Sequence, residues 1–279
     1  MKKNKVAIFG TIGSFHYLAA QKYFGKDVDI LECYTFLKCC EALKSGKADY
    51  AVLAIENSLA GSILPNYNLL NENPFQIIGE QYLKIELNLL ALKGVKVADI
   101  EFVHSHPMAL AQCTVFLNKY PHIKIVEQGD TASCVKNISE KQLRNTAAVA
   151  NEYASELYNV PILYKGIENN KHNYTRFFVL SKTDTTPEHP NKASICFRLK
   201  HKIGSLSDVL NIIKKEKLNL SKIQSVPVYG EPGQYFFHLD VEWNKKDHLH
   251  FTRAMAKIKK ATNHFAILGE YIKASLPKG

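Results

Sequence analysis

The chain has 279 residues, of which 46% are apolar and 10% aromatic, enough to fill a sizeable core and too apolar for disorder. Its formal net charge of +10 is lysine-driven and dispersed, without the basic run or face that nucleic-acid binders concentrate, though a general positive field would gather a small anion. No apolar window is long enough for a bilayer, and the start MKKNKVAIFG has too short an apolar run for a secretory signal, so a soluble, cytoplasmic protein without nucleic-acid or membrane partners is expected.

The six cysteines, Cys33, Cys39, Cys40, Cys113, Cys134 and Cys196, show no C-x-x-C pair and no histidine at zinc-finger spacing. Reduced, buried thiols and no metal site are expected.

Residues 6–9 read as a first strand. The glycine-bounded turn Gly10 to Phe15 follows, with Ser14 placed to cap a helix over 17–24. A turn that opens a helix presents free N–H groups and a favourable dipole to an anion. Its G-x-x-G spacing is not the dinucleotide fingerprint. Strand 28–31, helix 36–43 and strand 50–55 continue the alternation, which predicts a largely parallel α/β sheet. The third strand runs into Glu56-Asn57-Ser58-Leu59-Ala60-Gly61, polar groups at the carboxyl end of a strand, where open α/β sheets bind ligands. A helix over 63–70 comes next.

Residues 76–92 read as a long extended region crossing between two lobes. Strand 102–104 leads to Ser105-His106-Pro107, which opens a helix over 108–117 carrying Gln112 and Cys113; Pro107 suits its first turn and Ser105 its cap. Strand 123–126 is followed by Asp130-Thr131-Ala132-Ser133 at another helix start, with Asp130 or Thr131 as cap. Strand 147–150, helix 152–157 and a strand near 162–167 complete the first part. His172 to Leu180 then pairs a polar loop with a buried strand, with Thr175 and Arg176 at the junction. The arginines are only Arg144, Arg176, Arg198 and Arg253. A guanidinium at a strand mouth suits a carboxylate held by two parallel hydrogen bonds, and the stretch alone equally fits a structural salt bridge or a surface arginine at a strand edge.

Residues 183–192, TDTTPEHPNK, are polar, proline-bearing and aperiodic, and read as a linker. Beyond it, strand 193–199, helix 205–215, strands 220–228 and 235–241, helix 248–261 and strand 266–272 give the order βαββαβ, the ferredoxin-like arrangement.

Taken together, these segments resemble the prephenate dehydratase family, a catalytic domain followed by an ACT regulatory domain. The turn Gly10 to Phe15 resembles the family's G-S-F turn, Glu56-Asn57-Ser58 with Gly61 its E-N-S-x-x-G, and Ser105 to Cys113 its S-H-P-x-A-L-x-Q-C. Thr131-Ala132 matches its T-A pair and Thr175-Arg176-Phe177 its T-R-F motif. Gly204-Ser205-Leu206 is similar to the ACT turn G-A-L, and residues 219–227 to N-L-T-K-I-E-S-R-P. Two departures stand out. Thr11-Ile12 replaces a proline in the first turn, and Gln224 and Val226 replace a glutamate and an arginine.

The resemblance implies an α/β fold with a two-lobed, periplasmic-binding-protein-like catalytic domain over residues 1–182, a linker over 183–192 and a ferredoxin-like ACT domain over 193–279. It implies decarboxylative dehydration of prephenate to phenylpyruvate without a cofactor, because aromatisation drives the reaction. Thr175, Arg176, Ser105 and Asn57 are the catalytic candidates. Ser14, Phe15, Glu56, Ser58, Gln112, Thr131, Ala132 and Phe177 are candidates for substrate binding. Phenylalanine is the implied effector, at Gly204, Ser205, Leu206, Asn219 and Leu220, in a homodimer or homotetramer. Arogenate dehydration and non-catalytic small-molecule sensing are the alternative readings.

Overall fold

A computed structural model describes residues 3–200 and 202–277. They form two compact units: the described residues up to Gly61 with Tyr82–Phe177 and the described residues from Leu276 on, and Ser62–Gln81 with Phe178–Ser275.

The first unit begins with β1 (Lys5–Phe9), α1 (Phe15–Phe24), β2 (Asp29–Cys33), α2 (Phe36–Ser45) and β3 (Tyr50–Asn57). β1 pairs in parallel with both β2 and β3. Helical crossovers cover both faces of such a sheet, which is why Val6, Ala7 and Ile8 are all fully buried. β4 (Gly61–Ser62), α3 (Leu64–Glu72) and β5 (Gln76–Lys84) follow.

The chain then enters a second sheet through β6 (Asn88–Leu90), β7 (Phe102–Ser105), α4 (Pro107–Ala111) and α5 (Thr114–Leu117). It continues with β8 (Lys124–Glu127), α6 (Thr131–Lys141), β9 (Thr146–Ala150), α7 (Glu152–Tyr158) and β10 (Ile162–Tyr164). It returns to the first sheet as β11 (Tyr174–Ser181). The strand orders are β2-β1-β3-β11-β5, with β4 on β3, and β10-β6-β9-β7-β8. β5 and β11 each contribute residues to both units.

The extended region expected over 76–92 is therefore two strands in different sheets. The outward and return crossings are laced together. Ile167 N–H donates to Leu87 O (2.7 Å) and Ile85 N–H to Asn173 O (2.8 Å), and the Glu168 carboxylate accepts Leu87 N–H (2.9 Å).

The helix expected over 108–117 is broken after α4. Gln112 O accepts the N–H of Asn169 (2.7 Å) instead of continuing the helical ladder. The Asn169 side chain then holds the start of α5, accepting from Val115 N–H (3.0 Å) and donating to Thr114 Oγ1 (2.9 Å). The cap of α4 is His106, whose Nδ1 accepts Met108 N–H, and not Ser105. For α6, Asp130 is the cap.

The second unit carries β12 (Lys192–Arg198), α8 (Ser205–Lys215), β13 (Asn219–Pro227), β14 (Tyr235–Glu242), α9 (His248–Ala261) and β15 (Asn263–Tyr271). The antiparallel order β13-β14-β12-β15 is the ferredoxin-like βαββαβ topology. Ala193, Ile195 and Phe197 alternate into a core with Leu239 and Val241 and with Val209, Phe251 and Ile258 of the two helices. The opposite face pairs Lys192, Ser194 and Cys196 with Glu242, Asp240 and His238. Lys192, expected at the end of the linker, opens β12 and is buried.

All six cysteines are free and buried, and no group of residues suited to a metal ion is present among the described residues. No helix there is long and apolar enough to cross a membrane.

Candidate active site

Strand β3 runs two residues beyond its expected end, so Asn57 is held in regular structure. Its Oδ1 accepts Leu59 N–H (3.0 Å) and Ala60 N–H (2.9 Å). Backbone N–H groups only donate, so these bonds decide which end of the amide is oxygen. The Nδ2 end then faces β11, donating to Asn173 Oδ1 (2.8 Å) and Thr175 Oγ1 (3.0 Å), with Tyr174 O at 3.3 Å.

Thr175 is thereby the acceptor in its contact with Asn57. Its own proton points elsewhere, and among the described residues no protein group receives it. The hydroxyl is buried yet presents an available donor.

Gln112, at the broken end of α4, closes the arrangement from the second sheet's side. Its Oε1 accepts from Asn173 Nδ2 (2.9 Å) and its Nε2 donates to Asn57 Oδ1 (3.4 Å). Asn57, Gln112 and Asn173 thus form a closed circuit in which each amide donates to one neighbour and accepts from the other. Ser58 is exposed and ties the loop before β11: its Oγ donates to His172 O (3.1 Å) and accepts Tyr174 N–H (2.9 Å).

Two helix starts converge nearby. Ser14 Oγ accepts Tyr17 N–H at the start of α1. Asp130 Oδ1 accepts Ala132 and Ser133 N–H (both 2.9 Å) at the start of α6, and also the Thr11 hydroxyl (3.4 Å). Gly10 and Gly13 are required here. Both have left-handed φ (86° and 94°), and a Cβ on Gly10 would lie 3.2 Å from the Asp130 side chain, one on Gly13 3.2 Å from the Leu157 side chain. Asn151 Nδ2 donates to Gly13 O (2.8 Å) and Tyr158 OH to Ile12 O (2.6 Å), pinning the turn to the second sheet's side. Ile12 N–H donates to Glu32 Oε1 (2.7 Å), a bond that a proline at position 12 would forfeit.

The other expected residues divide by side-chain direction. Successive strand residues face opposite sides, so Arg176 points away from Thr175. Arg176 is buried, with its guanidinium 5.9 Å over the Tyr82 ring. Phe177 shares the Thr175 side and meets His16 edge-on (centroids 5.0 Å). Glu56, adjacent to Asn57, likewise faces the opposite side of β3. Ser105 is fully buried and its hydroxyl donates to Val149 O (2.6 Å). That bond commits the hydroxyl to β9. Phe15 packs against the second sheet's core and Ala132 belongs to it. Thr131 is a buried first residue of α6.

His16 and His106 are both neutral at physiological pH. Burial, assisted by repulsion from His106, pushes His16 down to about 3, and its Nε2 accepts Ala54 N–H (3.2 Å). Burial also lowers His106, against the pull of Asp130 and Glu127. The site therefore offers hydroxyls, amides and helix N-termini, and neither His16 nor His106 adds a positive charge to it.

A family model described as prephenate dehydratase matches residues 6–185. The chain belongs to the prephenate dehydratase family. It is 33% identical over 276 residues to the bifunctional chorismate mutase/prephenate dehydratase of Aquifex aeolicus, covering 99% of this chain and 75% of that protein. The prephenate dehydratase of Arthrobacter aurescens, solved in complex with L-Phe, superposes with a TM-score of 0.86 at 26% identity, over 97% of this chain and 90% of that one. A structure described as GqqA, a novel type of quorum quenching acylase, gives a TM-score of 0.84 at 29% identity, over 97% and 98% of the two chains. The protein is thus an enzyme of the prephenate dehydratase, lyase type.

Asn173, Asp130 and His16 were not among the expected site residues. Asn173 lies in the polar loop just before β11, and its signal was an amide two residues before the threonine of the Thr-Arg-Phe motif. Asp130 and His16 carried no signal beyond a cap and an apolar neighbourhood.

Proposed function

We propose that the protein converts prephenate to phenylpyruvate, releasing carbon dioxide and water, with Thr175 donating a hydrogen bond to the leaving hydroxyl. The observation that carries this reading is the polarity of the Asn57–Thr175 contact. An acceptor bond from Asn57 Nδ2 leaves the threonine proton available to the departing oxygen. In the reaction the C–O bond breaks, the leaving hydroxyl takes up one proton drawn from solvent and departs as water, and the C–C bond to the ring carboxylate releases its electron pair into the ring as carbon dioxide leaves. The charge that develops on the leaving oxygen is what a preoriented donor stabilises.

The start of α1, with Ser14, suits a substrate carboxylate, since at the start of α6 the Asp130 carboxylate already takes the Ala132 and Ser133 N–H groups. Arg176 braces β11 from the far side rather than touching the reacting atoms. The Ser105–Val149 bond gives no support to an acylase reading, since that hydroxyl is not activated by a histidine. Catalysis is assigned to residues 1–182 and regulation to 193–279.

Phenylalanine is the proposed effector of the ferredoxin-like unit, near Gly204, Ser205, Leu206, Asn219 and Leu220. Ser205 borders a surface pocket of about 450 Å³ with Lys200, Ile203, Gln234 and Tyr235. Val226 is buried, so the apolar residue standing in the place of the usual arginine joins the packing and leaves no unpaired charge. A symmetric dimer or tetramer is proposed for the assembly.

The test is phenylpyruvate formation from prephenate, with arogenate and added phenylalanine as parallel arms. Thr175→Val removes the hydroxyl at nearly constant volume. It is expected to fold and to lose roughly a hundredfold or more in kcat. Near-native turnover in this variant defeats the Thr175 role; faster turnover of arogenate than prephenate reassigns the substrate.

A further inference from the structure

We infer that Asn173 is a positioning residue for the reaction, acting through Asn57 to keep the Thr175 hydroxyl a hydrogen-bond donor toward the substrate; this rests on the reading of Thr175 given above. Asn173 is fully buried. A buried amide is costly unless bonded, and an apolar side chain of the same size would pack there without that cost. Its backbone carbonyl already anchors the crossing through Ile85 N–H, so the side chain is not needed for that bond.

What the side chain adds is direction. Asn57 Nδ2 carries two hydrogens and faces three acceptors: Asn173 Oδ1 at 2.8 Å, Thr175 Oγ1 at 3.0 Å and Tyr174 O at 3.3 Å. With one hydrogen held on Asn173 Oδ1, the planar amide directs the other at Thr175. Without that acceptor, Tyr174 O competes and the Thr175 hydroxyl is released to turn. Gln112 fixes Asn173 in its turn by accepting from Nδ2 (2.9 Å). Asn173 cannot flip, since flipping would set its nitrogen against Asn57 Nδ2 and its oxygen against Gln112 Oε1.

The experiment is a double-mutant cycle on the full chain, using prephenate, with thermal unfolding as a check of folding. Asn173→Leu is expected to lower kcat roughly tenfold, the rate equivalent of one hydrogen bond, with KM changed less than about twofold. In the Thr175→Val background, Asn173→Leu is expected to change the residual kcat less than about twofold, because its effect passes through the missing hydroxyl. Asn173→Asp supplies an independent readout. Its neutral carboxyl reproduces both bonds, accepting from Asn57 and donating to Gln112, whereas the carboxylate does not donate. Its kcat is therefore expected to fall as pH rises through that carboxyl's ionisation, a limb that the wild type lacks.

An equal fold-loss in both backgrounds, or a rise in KM at constant kcat, overturns the inference. If Asn173→Leu does not fold, an Asn173→Asp profile parallel to the wild type overturns it. Full turnover in Thr175→Val removes the Thr175 reading and this inference together, whereas a large loss there with an additive cycle removes only the inference.

Discussion

Each unit buries a connected group of polar side chains, and the two groups differ in kind. In the first unit Asn57, Asn173 and Gln112 are neutral amides. In the second, Lys192 Nζ lies 3.1 Å from both oxygens of Glu80 and 3.4 Å from Glu242, which also binds Lys273 at 2.6 Å. Both groups pay for desolvation. An amide has a donor end and an acceptor end, so a circuit of amides has a direction and sets the polarity of a hydroxyl beside it. An ammonium only donates and a carboxylate only accepts. Their pairing fixes position strongly but transmits no choice of orientation. The neutral circuit itself adds no full charge beside an anionic substrate.

The sharpest way to break this contrast is to remove the buried cation of the second group, Lys192. Lys192→Met removes the ammonium from beside the buried Glu80 carboxylate and is expected to cost about 3–5 kcal/mol, read by urea unfolding. Adding Glu80→Gln should recover most of it, since Ala274 N–H still has an acceptor. If Lys192→Met alone matches the wild type, the charged group is not holding the unit, and the division into charged structure and neutral chemistry fails.

A second test uses the buried histidines, one in each unit. His16 is held down to about 3 and His238 to about 4, in both cases chiefly by burial. In the unfolded chain both would titrate near the ordinary 6.5. Between that value and the folded values the unfolded state binds more protons, so stability falls as pH drops and is fully present only above about 6.5. Each histidine is expected to contribute roughly 1.4 kcal/mol per pH unit across this window. Unfolding free energy measured from pH 7 to pH 4.5 checks it, and His16→Gln should flatten the slope. A pH-independent stability would mean that these imidazoles are reached by water and protonate in place.

Much of the fold was legible because it rests on local pattern. The strand and helix alternation before residue 57 and the βαββαβ order after 192 follow from apolar periodicity and turn chemistry. The limits of the reading are physical. The break after α4 is made by Asn169, a residue more than fifty positions away whose backbone and side chain both intervene. Lys192 reads as part of a polar linker because its partners, Glu80 and Glu242, are supplied by other strands. Thr175 and Asn57 were legible as motif residues, but their hydrogen-bond polarity was not, since it depends on two backbone N–H groups that hold Asn57 Oδ1. Arg176 stood out by rarity, and strand alternation sends it to the face away from Thr175.

Ser105 gives the smallest effect and the finest test of the contrast. It lies in a motif beside the site and carries a hydroxyl, as Thr175 does, yet its proton is already given to Val149 O at 2.6 Å. A hydroxyl whose proton is committed to the backbone is part of the sheet; one that only accepts from an amide still has a proton to give. Ser105→Ala should therefore cost about 1 kcal/mol of stability, with Val149 O left short of a donor, and change kcat less than about twofold. Thr175→Ser, which keeps the donor, should retain far more turnover than Thr175→Val at comparable stability. A large kcat loss in Ser105→Ala, with the folded state intact, would place Ser105 in the chemistry and show that a committed proton is no bar to a catalytic role in this site.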